Sequence, residues 1–184
     1  MCELVLKRAE ELGALQYGEF TLSSGAKSAY YFDGRVLSLD SEGVALLANQ
    51  LLSIVIQFEA GAIGGPTIGA DAIVGATLGF ASDAGVSITG FLVRSEAKDH
   101  GTQRQVEGPP LNSGTKVIVV DDVCSTGGSL FHAIELVEAA GCEVVAVFVV
   151  LDRHQGGSDE LRRRGYEFIT LLEADSEGNV RPAL

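Results

Sequence analysis

Residues 143–153, EVVAVFVVLDR, are apolar at almost every position until they close on Asp-Arg. A strand with one face in water alternates polar and apolar side chains, so a run without alternation has to be covered on both faces. Residues 116–123, KVIVVDDV, have the same character until two carboxylates interrupt them. Between the two runs, TGGSLFHAIELVEAAG sets Leu130, Ile134 and Val137 on one helical face. Strand, helix and strand in that order predict a parallel βαβ unit. Sheets of this kind bind ligands at the carboxyl ends of their strands, which is where Asp121, Asp122 and Arg153 fall.

The rest of the chain extends the same α/β pattern. Periodicity predicts a helix over residues 2–14, with Leu4, Leu12 and Leu15 available for burial. GEFTLSSGAKSAYYFDGR breaks that period and predicts short strands and turns, a small hairpin. From Ser41 onward Leu47, Leu51, Ile54 and Val55 form one helical stripe. A short strand at 61–65, a helix at 69–83 and a strand at ITGFLVR follow. Residues 96–114 show no hydrophobic period and many charges. Loops of that length inside a compact domain are usually functional lids or disordered.

Composition narrows the class. With 184 residues and 46% hydrophobic content the chain can bury one sizeable core, and no linker or repeat divides it. A net charge of −12 disfavours nucleic acid and anionic membrane as partners. An anionic substrate then needs a local basic pocket or a metal ion. Cys2, Cys124 and Cys142 match neither a zinc spacing nor a disulfide framework. The N-terminus lacks the apolar centre of a signal peptide and no apolar run approaches membrane-spanning length, so a cytoplasmic protein is expected.

The segment VIVVDDVCSTGGS, residues 117–129, concentrates the chemistry. Its turn leads into a helix N-terminus, which offers free N–H groups and partial positive charge. Gly127 and Gly128 let the backbone approach an anion, and Ser125, Thr126 and Ser129 add hydroxyls, so the turn can cradle a phosphate. There is neither GxxxxGK[ST] nor GxGxxG, so the usual triphosphate and dinucleotide readings fail. Carboxylates beside a phosphate need another partner. Adjacent ribose hydroxyls fit, and Mg²⁺ held through water or those hydroxyls fits too.

VVDDVCSTGGS resembles the phosphoribosyl pyrophosphate signature of type I phosphoribosyltransferases, and other segments resemble the orotate phosphoribosyltransferase family in particular. FTLSSGAKSAYYFDGR is similar to that family's N-terminal hood, RSEAKDHGT at 94–102 to its mobile catalytic loop, and LDRHQGG at 151–157 to its base-contacting strand end. The resemblance covers about residues 15–155. It implies a central, mainly parallel sheet with helices on both faces, a hood at about 1–40 and a mobile loop at about 96–113, all in one domain spanning 1–184. It implies that Asp121, Asp122 and Lys98 serve catalysis. Donor binding would fall to Arg94, Lys98, His100, Asp121, Asp122, Val123, Cys124, Ser125, Thr126, Gly127, Gly128 and Ser129. Orotate binding would fall to Lys27, Tyr31, Phe32, Ser125 and Arg153. GGPTIGADAI would be the pyrophosphate loop, with Thr67 to Gly69 presenting N–H groups.

Further implications are Mg²⁺, a homodimer whose loops cross between subunits, and no room after residue 184 for a fused decarboxylase. His132 and His154 show no partner pattern and are expected to be structural or solvated. Some positive charges of the family are missing at Ser23, Ala26, Gly69 and Ser95, which bears on pyrophosphate affinity; Ala29 replaces a frequent Pro. Two competing readings are a purine phosphoribosyltransferase, which would need neither Arg153 nor Lys27, and a non-catalytic regulator that senses the donor. The latter would need a basic face for nucleic acid.

Overall fold

The computed structural model describes residues 1–21, 25, 27–96 and 105–183. The first helix, α1 (Cys2–Glu11), stops earlier than its periodicity predicts, because Gly13 takes a left-handed φ of 70° and turns the chain. Its buried side chains are Val5 and Ala9, whereas Leu4 is 54% exposed, so the expected use of Leu4 in the core does not hold. The hairpin then forms from β1 (Leu15–Thr21) and β2 (Lys27–Phe32), paired antiparallel as a separate two-stranded sheet. A five-residue helix, α2 (Gly34–Ser38), follows, its N-cap supplied by Asp33. Too short to display a period, it has no signal in the sequence.

Next come α3 (Ser41–Phe58), β3 (Ala62–Pro66), α4 (Asp71–Asp83), β4 (Thr89–Val93), β5 (Val106–Glu107) and β6 (Lys116–Cys124). The chain continues through α5 (Gly128–Ala139), β7 (Glu143–Asp152), α6 (Gly157–Arg163), β8 (Phe168–Ala174) and β9 (Val180–Pro182). The large sheet has the order β5-β4-β3-β6-β7-β8-β9. Its five inner strands are parallel and its two edges antiparallel. The edge strand β5 lies within the stretch expected to be all loop. Two residues paired against Leu92 and Val93 are too few to carry a pattern.

Alternation along the central strands divides the core. Ile118, Val120, Phe148 and Val150 pack with residues of α1, α3 and α4. Val117, Val119, Val147 and Val149 pack on the other face with Leu130, Ile134 and Val137 of α5 and Leu161 of α6. Successive strand side chains point to opposite faces, so an unbroken apolar run serves two helical layers at once. Contrary to the expectation from sequence, α3 is long and apolar enough in composition to cross a membrane. In the structure it is a core helix, with Leu47, Leu51, Ile54 and Val55 buried.

Candidate active site

The site grows from the carboxyl ends of β6 and β7, which run side by side in register through Cys124 and Asp152. Asp121 and Asp122 sit near the end of β6. Asp121 is only 6% exposed; its Oδ1 accepts from the Asp122 N–H at 2.9 Å and its Oδ2 from the Ser129 hydroxyl at 3.0 Å. Burial, and then the neighbouring Asp122 charge, push the Asp121 carboxyl up to about 7. Asp122 is raised as well, chiefly by burial, with Asp33 adding to the effect and the Asp121 hydrogen bond and Arg35 opposing it.

Two glycines let backbone close over this pair. A Cβ at Gly34 would stand 2.5 Å from the Asp122 Cβ, and one at Gly69 would fall against both carboxylates. The turn before α4 thus packs directly on the acids. Within it the Thr67–Ile68 peptide is cis, and the Thr67 N–H donates to the Val93 carbonyl at 2.9 Å. Of the three N–H groups expected to face phosphate there, Thr67 is therefore already committed.

Beyond β6, residues 125–129 turn into α5 with Gly127 at a φ of 81°, a conformation that favours glycine. A helix N-terminus leaves its first N–H groups without intrahelical acceptors, and here they open at the sheet's carboxyl edge. The hydroxyl of Ser129 is given to Asp121, so it orders the acid rather than reaching outward. The expected donor-binding roles of Val123 and Cys124 can rest only on backbone. The Val123 side chain packs against the core, and Cys124 is fully buried in it. Burial holds the Cys124 thiol up at about 12, so it stays neutral.

Arg153 leaves β7 with its N–H on the Cys124 carbonyl at 2.9 Å. Its guanidinium reaches toward the hairpin. There Nη2 lies 3.5 Å from the Phe32 carbonyl and the group stands 5.4 Å from the centre of the Tyr30 ring. Its Nε is buried with no protein partner among the described residues. Tyr30 was not legible as part of the site. Its ring is 6% exposed, and nothing local in YYF says which aromatic meets an arginine so distant in sequence.

In the hairpin, Lys27 is exposed on β2 and Tyr31 stacks at 5.7 Å from Phe20. Phe32 is 4% exposed, so its ring belongs to the core and only its carbonyl meets Arg153. Of the two rings expected to flank a ligand, Tyr31 is exposed and Phe32 is turned into the core. A cleft of about 250 Å³ is lined by residues 31–33 of the hairpin end, Arg35, Ile68, Gly69 and Asp122.

Arg94 follows β4, its N–H donating to the Gln105 carbonyl at 2.9 Å, so both stems of the long loop are tied together. Lys98 and His100 lie outside the described residues, as do Ser23 and Ala26. His132 does have a partner, the Gln105 amide at 3.1 Å. His154 has two, with Asp152 at 3.5 Å and Glu173 at 3.4 Å.

Against known proteins, a phosphoribosyl transferase domain model matches residues 36–175. An orotate phosphoribosyltransferase of Rhodopirellula baltica is 42% identical over 167 residues, 88% of this chain and 86% of that protein. One from Streptomyces coelicolor is 42% identical over 149 residues, 81% of each. Mycobacterium tuberculosis orotate phosphoribosyltransferase, solved in complex with 5-phospho-alpha-D-ribosyl 1-diphosphate, superposes with a TM-score of 0.74 at 30% identity. That match covers 92% of this chain and 95% of the other.

Proposed function

This chain belongs to the phosphoribosyltransferase family, and from that premise we propose that it is an orotate phosphoribosyltransferase of pyrimidine biosynthesis. It transfers ribose 5-phosphate from phosphoribosyl pyrophosphate to orotate, giving orotidine 5′-monophosphate and pyrophosphate. The observation that carries the assignment of roles is the convergence of three groups on one sheet edge. These are the acid pair of β6, the open N-terminus of α5, and Arg153 turned toward the hairpin.

Asp121 and Asp122 hold the ribose hydroxyls. Ser125, Thr126, Gly127, Gly128 and the backbone of Ser129 receive the 5′-phosphate, with Val123 and Cys124 contributing main chain only. Arg153 presents a planar fork to the orotate carboxylate or carbonyl oxygens, with Tyr31, the Phe32 backbone, Lys27 and Ser125 around the same ligand. A ring nitrogen of orotate forms the bond to the anomeric carbon as the bond to pyrophosphate oxygen breaks. The leaving electrons end on pyrophosphate. Positioning and electrostatics supply most of the catalysis, and no covalent enzyme intermediate is needed.

Among the described residues no cluster of three or more His, Cys, Asp or Glu side chains could cage a metal. The buried Asp121 and part-buried Asp122, both raised chiefly by burial, nonetheless suit a hard cation held mainly by the substrate, because a nearby positive charge would favour their ionised forms. Mg²⁺, when bound, neutralises charge on the pyrophosphate. Lys98 and His100 act on the same group from the loop at 96–113, which crosses to the neighbouring subunit of a homodimer, and Arg94 acts on it from the stem that follows β4. The hood at about 1–40 belongs to the same single domain, 1–184, as the sheet. Three free cysteines and the absence of any disulfide among the described residues support a reducing, cytoplasmic setting.

The direct test is loss of orotate in the presence of phosphoribosyl pyrophosphate and Mg²⁺. Turnover of adenine or hypoxanthine with no use of orotate would overturn the choice of base while leaving the donor half intact.

A further inference from the structure

Arg35 is unused by the roles assigned so far, yet it lines the 250 Å³ cleft together with Gly69 and Asp122. Its side chain is held in place. Asp33 caps α2 by accepting from the Arg35 N–H at 3.0 Å, and the same carboxylate takes Nε at 2.8 Å and Nη2 at 2.8 Å. A guanidinium offers five N–H donors in a rigid fork, and Asp33 engages one edge of it. The other edge has no partner among the described residues, and the side chain remains 51% exposed. An ordinary surface pair would lie away from any ligand. This one starts one residue after Gly34, whose backbone is pressed on Asp122, and it shares the cleft with the Gly69 turn.

Charge gives the cleft its meaning. Asp33 and Asp122 contribute negative charge to its lining, the chain as a whole carries −12, and Arg35 is the one cationic side chain among the described lining residues. A multiply charged anion entering beside Asp122 needs compensation there, and a fork pre-oriented by a carboxylate supplies it with little entropy left to lose.

We propose that Arg35 binds the pyrophosphate group of the donor and stays with it as it leaves, with Asp33 as the residue that positions the fork. The proposal rests on the donor site assigned above, since it needs the sugar at Asp122. Arg35 forms no bond to substrate and moves no proton; its free N–H edge donates to phosphate oxygens.

Calorimetric binding of inorganic pyrophosphate with Mg²⁺ tests it, alongside steady-state kinetics. Arg35→Gln should weaken pyrophosphate about ten- to a hundredfold, the scale of one charge-assisted hydrogen-bonded contact. The Michaelis constant for the donor should rise with it, while that for orotate stays within about twofold. Arg35→Lys keeps the charge but loses the fork, so it should fall between wild type and Gln. Were the Arg35 side chain only a structural partner of Asp33, both variants would lower the melting temperature and leave pyrophosphate affinity unchanged, and the proposal would be wrong. Asp122→Asn separates the two levels. If it fails to weaken the donor, the donor site itself is misassigned. If it weakens the donor while Arg35→Gln leaves pyrophosphate binding intact, only the role of Arg35 fails.

Discussion

Asp121 has almost no contact with water, and its nearest charged neighbour is another carboxylate. The raised folded value, about 7 against about 3.9 in an unfolded chain, fixes a sign. The folded state holds this proton more tightly, so the stability it contributes is complete below the unfolded value and disappears as pH rises through the folded one. The unliganded protein should therefore lose melting temperature between about pH 5 and pH 8. Asp121→Asn should flatten that decline, since Asn still accepts at Oδ1 and can meet the Ser129 hydroxyl. Asp33, Asp40 and Asp175 have lowered values, and their contribution is lost only as pH falls through the carboxylate range below that window. A melting temperature that rises from pH 5 to pH 8 in the wild type would contradict the assignment. Arg153 gives a second test at this scale. Removing a charge-assisted contact costs about 1.5–3 kcal/mol, so Arg153→Ala should raise the orotate Michaelis constant at least tenfold and the donor constant far less. Both residues were legible from sequence because acids or an arginine at the end of an apolar strand are chemically out of place. Tyr30, and the commitment of Ser129 to Asp121, were not. A side chain's partner eight or 123 residues away leaves no local pattern.

Among elements, legibility followed length and burial. The strands β6 and β7 and the helix between them announce themselves because double coverage forbids polar positions. The five residues of α2 and the three of β9 are too few for a period, and they exist because Asp33 caps one and β8 pairs with the other. Close approach between elements is equally invisible in a sequence but testable. A Cβ on Gly65 of β3 would sit within 2.8 Å of the Val120 carbonyl carbon, a strand's backbone that cannot yield cheaply. Gly65→Ala should cost about 1–3 kcal/mol, in the manner of an overpacked core. Urea unfolding should show a lower midpoint at unchanged slope. An unchanged midpoint would mean that β3 and β6 are free to separate there.

For the whole molecule, the roles proposed above make the loop that follows β4 the test of whether one chain forms a complete site. Its stems meet where the Arg94 N–H donates to Gln105, so both ends leave the sheet at one point. If the segment serves a partner subunit, Lys98→Ala and Asp122→Asn chains, each nearly inactive alone, should regain activity when mixed under conditions where subunits exchange. Complementation can restore at most about a quarter of the sites in a random mixture, because only half the dimers are mixed and only one site in each is intact. Exchange without recovery would assign each loop to its own chain. The overall α/β arrangement was legible from the alternation of apolar strands with helical periods. The detachment of the hairpin from the large sheet came only through the family resemblance, which gives it as a hood, since strand propensity does not say which sheet a strand joins.

That detachment bears on how such an enzyme can change. The half proposed to bind the donor hangs from β6, an inner strand locked on both sides by backbone ladders to β3 and β7. The half proposed to bind the base is roofed by a hairpin of its own, fastened to the large sheet through contacts such as Arg153 to Phe32 and the Tyr17 hydroxyl at the Val180 backbone. A mutation that reshapes the hairpin leaves the ladders untouched, whereas one that shifts β6 disturbs every strand beside it. On the roles proposed above, selectivity for the acceptor is therefore free to drift by small steps, while the machinery that handles the activated sugar is held fixed by the stability of the sheet itself.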